Sequence, residues 1–432
     1  MKKVKNIFQK ITKRKIVFLG ILLLIAGLFA WTHGDFDKTD DTSNREEYMS
    51  NIENVEENSE ASINQSDEDD STSVKDDEET IVNQIEDSKS NDVTIVMVGD
   101  MLLHDRVESS AKREDGSYNY DAIFSNVKDD IEKADIAIAN QEVIIGGSEL
   151  GISGYPTFNA PYEFGDALVE TGFDIVCHGT NHALDKGEKG LTNCLNFWHE
   201  NHPEIGVLGI HDSYEDQDEI YIYEINGIKI AMLNYTYGTN GIELPASMPY
   251  GVDYLSEDRI IEDLDEAEEI ADFTIVCPHW GTEYSLTPDS SQKKWAGIMV
   301  AHGADLIIGT HPHVIEPVEV IEDEASGNSA VCYYSLGNFV NWTSGKGQGV
   351  SNRMVGAMAT VTIGLDENNE VIIKEYDAVP LVSHVTSGTD GVTVYKLEDY
   401  TDELAEKNEI ISQASDFSLE YCKNLVEEVL GK

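Results

Sequence analysis

The sequence is poor in cysteine and in basic residues. Its five cysteines include no Cys-x-x-Cys pair, so we expect neither a disulfide framework nor a cysteine-rich zinc site, but free, buried thiols. Only 29 Lys and Arg residues stand against 82 Asp and Glu residues, which gives a formal net charge of −53. A chain this acidic would be repelled by a polyphosphate backbone, so we expect no nucleic-acid partner.

One long apolar run lies near the N-terminus. Residues 1–15 are basic and are predicted to stay in the cytoplasm, and an uninterrupted apolar run follows from Ile16 to Trp31. Its length lies between those of a spanning helix and of the apolar core of a cleaved signal. We favour an uncleaved transmembrane signal-anchor over 16–31, with a cleaved signal peptide as the alternative. Either would place the remaining chain outside the cytoplasmic membrane.

A strongly acidic segment follows over residues 32–92. It has almost no aromatic residues and shows neither a helical nor a strand period. Such a segment cannot bury enough apolar surface to offset the entropy of ordering it. We therefore predict a disordered acidic linker, which is either a spacer that holds the domain away from the membrane or a purely solvating tether.

The remaining chain alternates apolar strand patterns with helical periods, which is typical of an α/β fold. We expect mixed sheets, arranged as two sheets face to face with helices outside, over residues 93–385, and a helical extension over 386–432. Strands are predicted over 93–100, 134–140, 173–178, 228–234, 273–279, 304–308 and 331–336, helices over 162–171, 188–201, 256–271 and 290–302, an antiparallel hairpin over 354–363 and 371–379, and a final amphipathic helix over 397–430.

Polar side chains follow these strands at their carboxyl ends, where open α/β sheets bind ligands. Each residue alone could have a purely structural role, as a turn residue, a helix cap or a packed histidine. Five chain segments nevertheless deliver Asp, Asn, Glu or His to the same kind of position, and this coincidence predicts a site. The residues are Asp100, Asn140, Glu142, Asn181, His182, Asp185, His279, His311 and His313.

The chemistry of these residues favours a metal site. His311 and His313 are separated by Pro312, and in an extended backbone their two imidazoles would face one side of a metal. Asn181 offers an amide oxygen, and His182 is a candidate proton donor that Asp185 would orient. Oxygen and imidazole ligands without thiolate suit Mn, Fe, Zn or Mg, bound as one ion or as two ions about 3.5–4 Å apart.

Six ordered motifs resemble the CapA family, the poly-γ-glutamate capsule biosynthesis proteins of Gram-positive bacteria and their relatives. The resemblance extends from about residue 93 to about residue 345. The motifs are Gly-Asp-Met-Leu at 99–102, Asn-Gln-Glu at 140–142, Asn-His-Ala-Leu-Asp-Lys-Gly at 181–187, His-Trp-Gly-Thr-Glu-Tyr at 279–284, Gly-Thr-His-Pro-His-Val at 309–314 and Tyr-Ser-Leu-Gly-Asn-Phe at 334–339.

The resemblance implies a branch of the calcineurin-like metallophosphoesterases with a four-layer α/β/β/α sandwich. It also implies a place on a Gram-positive type of cell surface. The wider superfamily opens with Asp-x-His, whereas Leu102 stands two residues after Asp100 and His104 lies four residues away. The implied metal ligands are Asp100, Glu142, Asn181, His279, His311 and His313, with His182 beside the site.

Other residues have two open interpretations. Trp280, Glu283 and Tyr284 would line a substrate groove or form a packed rim, and Asn338 is a further substrate-binding candidate. Arg353 would bind an anionic substrate group or be a surface cation.

Three functions fit the sequence. The first is a membrane-anchored, extracytoplasmic metal-dependent hydrolase or transferase acting on the capsule polymer. The second is a non-catalytic accessory subunit that binds poly-γ-glutamate as it leaves a membrane-embedded synthase. The third and weakest is a structural surface protein whose site has decayed.

Overall fold

A computed structural model describes residues 91–342 and 345–432. Within these two ranges no helix is long and apolar enough to cross a membrane. The expected signal-anchor over 16–31 and nearly all of the expected acidic linker lie outside the described residues. The strand predicted over 93–100 is confirmed, and it begins at Val93.

The first sheet is built around β1 (Val93–Met101). On one side of it lie the parallel strands β2 (Ile136–Asn140), β3 (Ile175–Cys177) and β4 (Gly206–Leu208). On the other side the antiparallel strands β12 (Val355–Leu365), β13 (Val371–Val385) and β14 (Val392–Lys396) extend the sheet, and the short β11 (Asn338–Val340) pairs with the end of β1. The predicted antiparallel hairpin is therefore confirmed as β12 and β13.

The second sheet has the order β5-β6-β7-β8-β10-β9. Its central strands are parallel, and its two edge strands are antiparallel to their neighbours. The bounds are β5 (Tyr221–Ile225), β6 (Ile228–Thr236), β7 (Phe273–His279), β8 (Leu306–Ile308), β9 (Val318–Glu322) and β10 (Ser329–Tyr333). Both sheets are thus mixed, as expected from the sequence.

Side-chain alternation along β7 shows how the layers stack. Ile275 and Cys277 belong to the core shared with the first sheet, and Cys277 Sγ lies 3.7 Å from Met97 Sδ of β1. Val276 points the opposite way, into a second core with Leu264. Because successive strand residues face opposite sides, a strand that is apolar throughout is one covered on both faces.

Helices cover the outer faces of the two sheets. Side chains of α4 (Tyr162–Thr171) and α5 (Gly187–Asn201) belong to the first core, and those of α7 (Glu257–Ile270) and α8 (Ser290–Ala301) belong to the second. Asp289 caps α8 by accepting hydrogen bonds from two backbone N–H groups, which is worth about 1 kcal/mol. The other helices of the described ranges are α1 (Asp105–Ala111), α2 (Asp121–Phe124), α3 (Lys128–Lys133), α6 (Tyr214–Gln217), α9 (Asp402–Lys407) and α10 (Leu419–Leu430).

The C-terminal segment differs from the single helix predicted over 397–430 and from the helical extension predicted over 386–432. Its first element, β14, is an edge strand of the first sheet. The following helices α9 and α10 are separate because polar side chains start and stop them: Thr401 Oγ1 caps α9, and Asn408 Nδ2 donates to the carbonyl of Ser383 at 3.0 Å. Ser418 caps α10.

Candidate metal centre

Five buried polar side chains converge where strands of both sheets end. Asp100 is the second-last residue of β1, Glu142 follows β2, and His279 ends β7. His311 and His313 follow β8. We call these five residues the ligand cluster. Gly99 permits the close approach of β1 to the segment around Gly337, since a Cβ at residue 99 would lie 2.0 Å from the carbonyl oxygen of Gly337.

Glu142 is the centre of the ligand cluster. Its Oε1 lies 3.7 Å from Nε2 of His279 and 3.7 Å from Nε2 of His313. Two sets of ligand atoms, each within 4.8 Å of one another, could hold a metal ion: Glu142 with His279 and His311, and Asp100 with Glu142 and His313. Glu142 belongs to both sets, as a carboxylate that bridges two ions would.

The cluster contains buried polar atoms that make no hydrogen bond within the described part of the chain. Neither carboxylate oxygen of Glu142 has a hydrogen-bond partner among the described residues, although the side chain is fully buried. Nδ1 of His311 is likewise buried without a hydrogen bond in the described part of the chain. A buried ionised carboxylate is strongly destabilising unless it is paired or coordinates a metal. The residues therefore fit divalent cations that accept oxygen and imidazole ligands, such as Mn, Fe, Zn or Mg.

The electrostatics of the cluster concentrate negative charge on Glu142. Burial alone would raise the pKa of the Glu142 carboxyl, but the imidazoles of His313 and His279 outweigh it and hold that pKa below its usual range. Burial would lower the pKa of His313, yet the carboxyl groups of Glu142 and Asp100 raise it to about 9. The pKa of His311 is lowered by burial and by the neighbouring imidazoles. Glu142, the residue that belongs to both ligand sets, is thus held in its anionic form.

The prediction that His311 and His313 face one metal from an extended backbone is wrong. Their backbone φ angles are 97° and 60°, in the region that residues other than glycine rarely adopt. The two imidazoles consequently belong to different ligand sets, with ring centroids 5.6 Å apart. Backbone strain of this kind costs about 1–3 kcal/mol per residue and is concentrated at functional sites.

Asn181 lies at the ligand cluster, where it was predicted. Its Oδ1 is 2.9 Å from Nε2 of His279, the same nitrogen that faces Glu142. The other ring nitrogen of His279 lies 3.0 Å from Oγ1 of Thr310, so this imidazole is oriented from both sides. Sequence reasoning missed Thr310, although the residue stands directly before His311 in the motif.

His182 and Asp185 lie beside the ligand cluster as a hydrogen-bonded pair. Nδ1 of His182 is 2.7 Å from Oδ2 of Asp185, which also accepts the backbone N–H of Phe158 at 2.7 Å. Nε2 of His182 faces the cluster, 3.9 Å from Oε1 of Glu142. A carboxylate that accepts from Nδ1 fixes the tautomer and leaves Nε2 toward the site. Asp185 therefore orients His182 and lies behind it.

A cleft of about 270 Å³ opens beside the ligand cluster. Burial lowers the pKa of His104 to about 4, so this imidazole is neutral at physiological pH. Glu283, Tyr284 and Asn338, the predicted substrate-binding residues, line the cleft, and their contact with a substrate stays a prediction. The cleft is lined by Leu102, His104, Tyr155, Phe158, His182, Glu283, Tyr284, His313, Asn338, Asn341, Gly345 and Arg353.

Trp280 does not line the cleft, and its predicted contact with substrate is corrected. Its ring is only 1% exposed and packs in the second core. Its Nε1 donates to the carbonyl of Tyr334 at 2.9 Å. His279 and Trp280 are successive residues at the end of a strand, so their side chains point in opposite directions.

A sequence family described as bacterial capsule synthesis protein PGA_cap matches residues 94–343. The chain belongs to this family. The capsule biosynthesis protein CapA of Bacillus anthracis is 29% identical over 322 residues, which cover 70% of this chain and 72% of that protein. The PGA biosynthesis protein CapA of Bacillus subtilis (strain 168) is 34% identical over 181 residues, which cover 41% of this chain and 45% of that protein.

Solved structures with a similar fold include nucleotidases. A putative 5'-nucleotidase of Staphylococcus aureus is 16% identical with a TM-score of 0.42, and the match covers 67% of this chain and 54% of that chain. The NAD nucleotidase of Haemophilus influenzae is 12% identical with a TM-score of 0.40, and the match covers 78% of this chain and 59% of that chain. This PGA_cap family member thus spans about half the length of the S. aureus nucleotidase it matches.

The segment shared with the PGA_cap family contains the entire ligand cluster, together with Asn181, His182 and Asp185. It also contains most of the cleft. Arg353 lies beyond the matched residues, on the 3₁₀ turn Ser351–Met354 that precedes β12.

Proposed function

We propose that this protein is a membrane-anchored, extracytoplasmic member of the PGA_cap family that acts in poly-γ-glutamate capsule biosynthesis or export through a metal-dependent hydrolase or transferase site. One observation carries the proposal of a metal site: the fully buried Glu142 is shared by two potential ligand sets, and both its oxygens lack a hydrogen-bond partner in the described ranges. The extracytoplasmic location is supported by the basic and apolar pattern of residues 1–31.

The ligand cluster would hold one or two divalent ions, with Asn181 Oδ1 as a further ligand. Bound ions would supply Lewis acidity, both to a nucleophile and to the oxygen of the group it attacks. The reaction that suits this chemistry is cleavage or transfer at an amide bond of the capsule polymer. The protein's own contribution is to hold the substrate in the cleft and to exclude bulk water from the buried cluster.

His182 is the proposed proton donor to the leaving group. Its Nε2 faces the ligand cluster and the cleft, and it is held there by the hydrogen bond of Nδ1 to Asp185. A general acid placed within hydrogen-bond reach of the leaving atom typically contributes 10²–10⁴-fold to the rate.

A non-catalytic role is the second candidate, and Leu102 favours it. This buried side chain lines the cleft two residues after Asp100, where the resemblance to metallophosphoesterases would place a histidine. The ligand set that contains Asp100 consequently has one imidazole, that of His313. A cluster with fewer ligands would suit an accessory subunit of a polyglutamate synthase that binds the polymer without cleaving it.

The experiment is complementation of a strain that lacks the gene for this protein. Capsule polymer per cell is measured for the wild type, Glu142→Gln, His182→Gln and a control, Glu188→Gln, on the exposed surface of α5. The hydrolase or transferase predicts loss of polymer with both site variants and none with the control. Normal polymer with Glu142→Gln and His182→Gln, but none on deletion of residues 93–432, would support the accessory role.

A further inference from the structure

The cleft contains one residue with a permanent positive charge. Among the described residues that line it, Arg353 is the only Arg or Lys, and Glu283 is the nearby exposed acid. The protein as a whole carries a formal charge of −53 and therefore repels a polyanionic chain at long range. Any attraction for an anionic polymer must come from the ligand cluster and from this guanidinium.

Arg353 is held in place by an aromatic ring of the cleft. Its guanidinium carbon lies 3.6 Å from the centroid of the Tyr284 ring, and the ring of Tyr284 lies 6.0 Å from that of His313. Tyr284 is therefore a neighbour both of the guanidinium and of a residue of the ligand cluster. Stacking uses the face of a guanidinium, whereas planar, bidentate binding of a carboxylate uses its edge, and the stacking reduces the entropy lost on binding.

Asn338 connects Arg353 to the ligand cluster and presents an acceptor. Its Nδ2 donates to the backbone carbonyl of His313 at 3.0 Å and to that of Arg353 at 2.9 Å. Two carbonyl partners require the amino group on that side, so the orientation of the amide is fixed and Oδ1 faces the other way. Oδ1 is buried and has no hydrogen-bond partner in the described ranges. It is suited to accept an N–H group.

We propose that Arg353 and Asn338 form a subsite for one γ-glutamyl unit, in which Arg353 binds the free α-carboxylate and Asn338 Oδ1 accepts the amide N–H. The subsite lies next to His313 and would therefore present the adjoining amide bond to the ligand cluster. A γ-glutamyl unit is favoured over a phosphodiester because a phosphodiester has only acceptor oxygens, whereas the γ-glutamyl unit combines its carboxylate with an amide N–H that Asn338 Oδ1 can accept. This assignment rests on the proposed function in poly-γ-glutamate biosynthesis.

The test is fluorescence anisotropy of a labelled, short γ-linked glutamate oligomer with the full-length protein equilibrated with Mn²⁺. A second oligomer, whose α-carboxylates are converted to amides, is the matched ligand. Wild-type protein should bind the acid oligomer at least about tenfold more tightly than the amide oligomer, as expected for a charge-assisted hydrogen-bonded pair. Arg353→Gln should remove this preference, and Lys293→Gln, which removes a charge from the exposed face of α8, should leave it unchanged.

Tyr284→Leu is the second variant, because its ring is 43% exposed and its loss should not unfold the protein. We expect it to weaken binding of the acid oligomer less than Arg353→Gln does. Equal binding of the two oligomers by the wild type, or an unchanged preference in Arg353→Gln, would overturn the subsite. Stronger competition by inorganic phosphate than by free glutamate would assign Arg353 to a phosphate instead.

Metal content of the same samples separates this inference from the proposed function. Wild-type protein that holds metal but does not distinguish the oligomers contradicts the subsite alone. Wild-type protein that holds no metal contradicts the metal-dependent function, and the preference between oligomers then tests Arg353 as part of a polymer-binding surface.

Discussion

Nδ1 of His182 lies 2.7 Å from Oδ2 of Asp185, and this contact turns the opposite ring nitrogen toward the buried ligand cluster. A second imidazole–carboxylate pair lies closer to the protein surface, where Nε2 of His202, rather than Nδ1, lies 2.7 Å from Oδ1 of Asp166. The distance between the imidazole nitrogen and the carboxylate oxygen is the same in both pairs, but the pairs differ in burial and in their position relative to the ligand cluster. The His202–Asp166 pair is therefore a control for substitutions of the His182–Asp185 pair.

The first prediction concerns this pair. In Asp185→Asn the amide oxygen can still accept from Nδ1 of His182 and from the backbone N–H of Phe158. The substitution removes the negative charge beside His182. We expect polymer formation to fall by about 10-fold or more, the usual effect of altering a residue behind a catalytic or metal-binding histidine, with metal content unchanged. Asp166→Asn should have no effect. Wild-type polymer levels with Asp185→Asn would contradict the role of His182 as a proton donor.

The second prediction concerns the two histidines with positive φ. Replacing both His311 and His313 by Ala removes one imidazole from each ligand set and should lower metal content with the fold retained, as measured by elemental analysis and circular dichroism. The control replaces by Ala both His199, on the surface of α5, and His302, which directly follows α8. Equal metal content in the His311→Ala, His313→Ala protein would show that the site lies elsewhere.

The third prediction is a pH dependence of stability that arises at Glu108. Burial raises the pKa of this carboxyl from 4.5 to about 8, although it accepts a hydrogen bond from Tyr120 at 2.5 Å. The folded state therefore retains a proton that the unfolded state loses. This contribution to stability is fully present below about pH 4.5, is lost as pH rises, and is gone above about pH 8, with a slope of at most about 1.4 kcal/mol per pH unit.

Glu108→Gln should lack this decline. Its free energy of unfolding in urea, relative to the wild type, should increase between pH 5 and pH 8. Glu188→Gln on the surface should show a constant difference from the wild type. A constant difference for Glu108→Gln would show that the buried carboxyl is already ionised at pH 5.

The fourth prediction separates the two aromatic residues of the His-Trp-Gly-Thr-Glu-Tyr motif. Trp280→Ala should lower the free energy of unfolding by about 3–5 kcal/mol, because it removes a fully buried ring from the second core. Tyr284→Ala should change stability by about 1 kcal/mol or less, because its ring is partly exposed. Similar stability losses for both would contradict the assignment of one ring to the core and the other to the cleft.

Much of the fold could be predicted because β-strands such as β7 are apolar throughout and end in polar residues. Parallel strands bring those ends together, so Asp100, Glu142, His279 and the two later histidines were grouped before their positions were known. β4 was missed because three residues are too short a run to show a period. β5, β9 and β11 were also missed, and they are short or partly exposed.

Other differences arise where local patterns compete with tertiary contacts. The positive φ of His311 and His313 depends on the surrounding chain and has no signal in a His-Pro-His segment. Trp280, in contrast, could have been placed in the core, because it follows a site residue in a strand and must point the other way. The caps at Thr401 and Ser418 were likewise visible signals that helices start afresh after residue 397.

The metal content of Glu142→Gln tests the central claim most directly. Full-length protein is equilibrated with Mn²⁺ or Zn²⁺, passed through a desalting column and measured by elemental analysis beside the wild type and Glu188→Gln. A shared bridging carboxylate predicts about one to two ions per chain in the wild type and in Glu188→Gln, and a large loss in Glu142→Gln. Wild-type protein without bound metal, or Glu142→Gln with wild-type metal content, would contradict it.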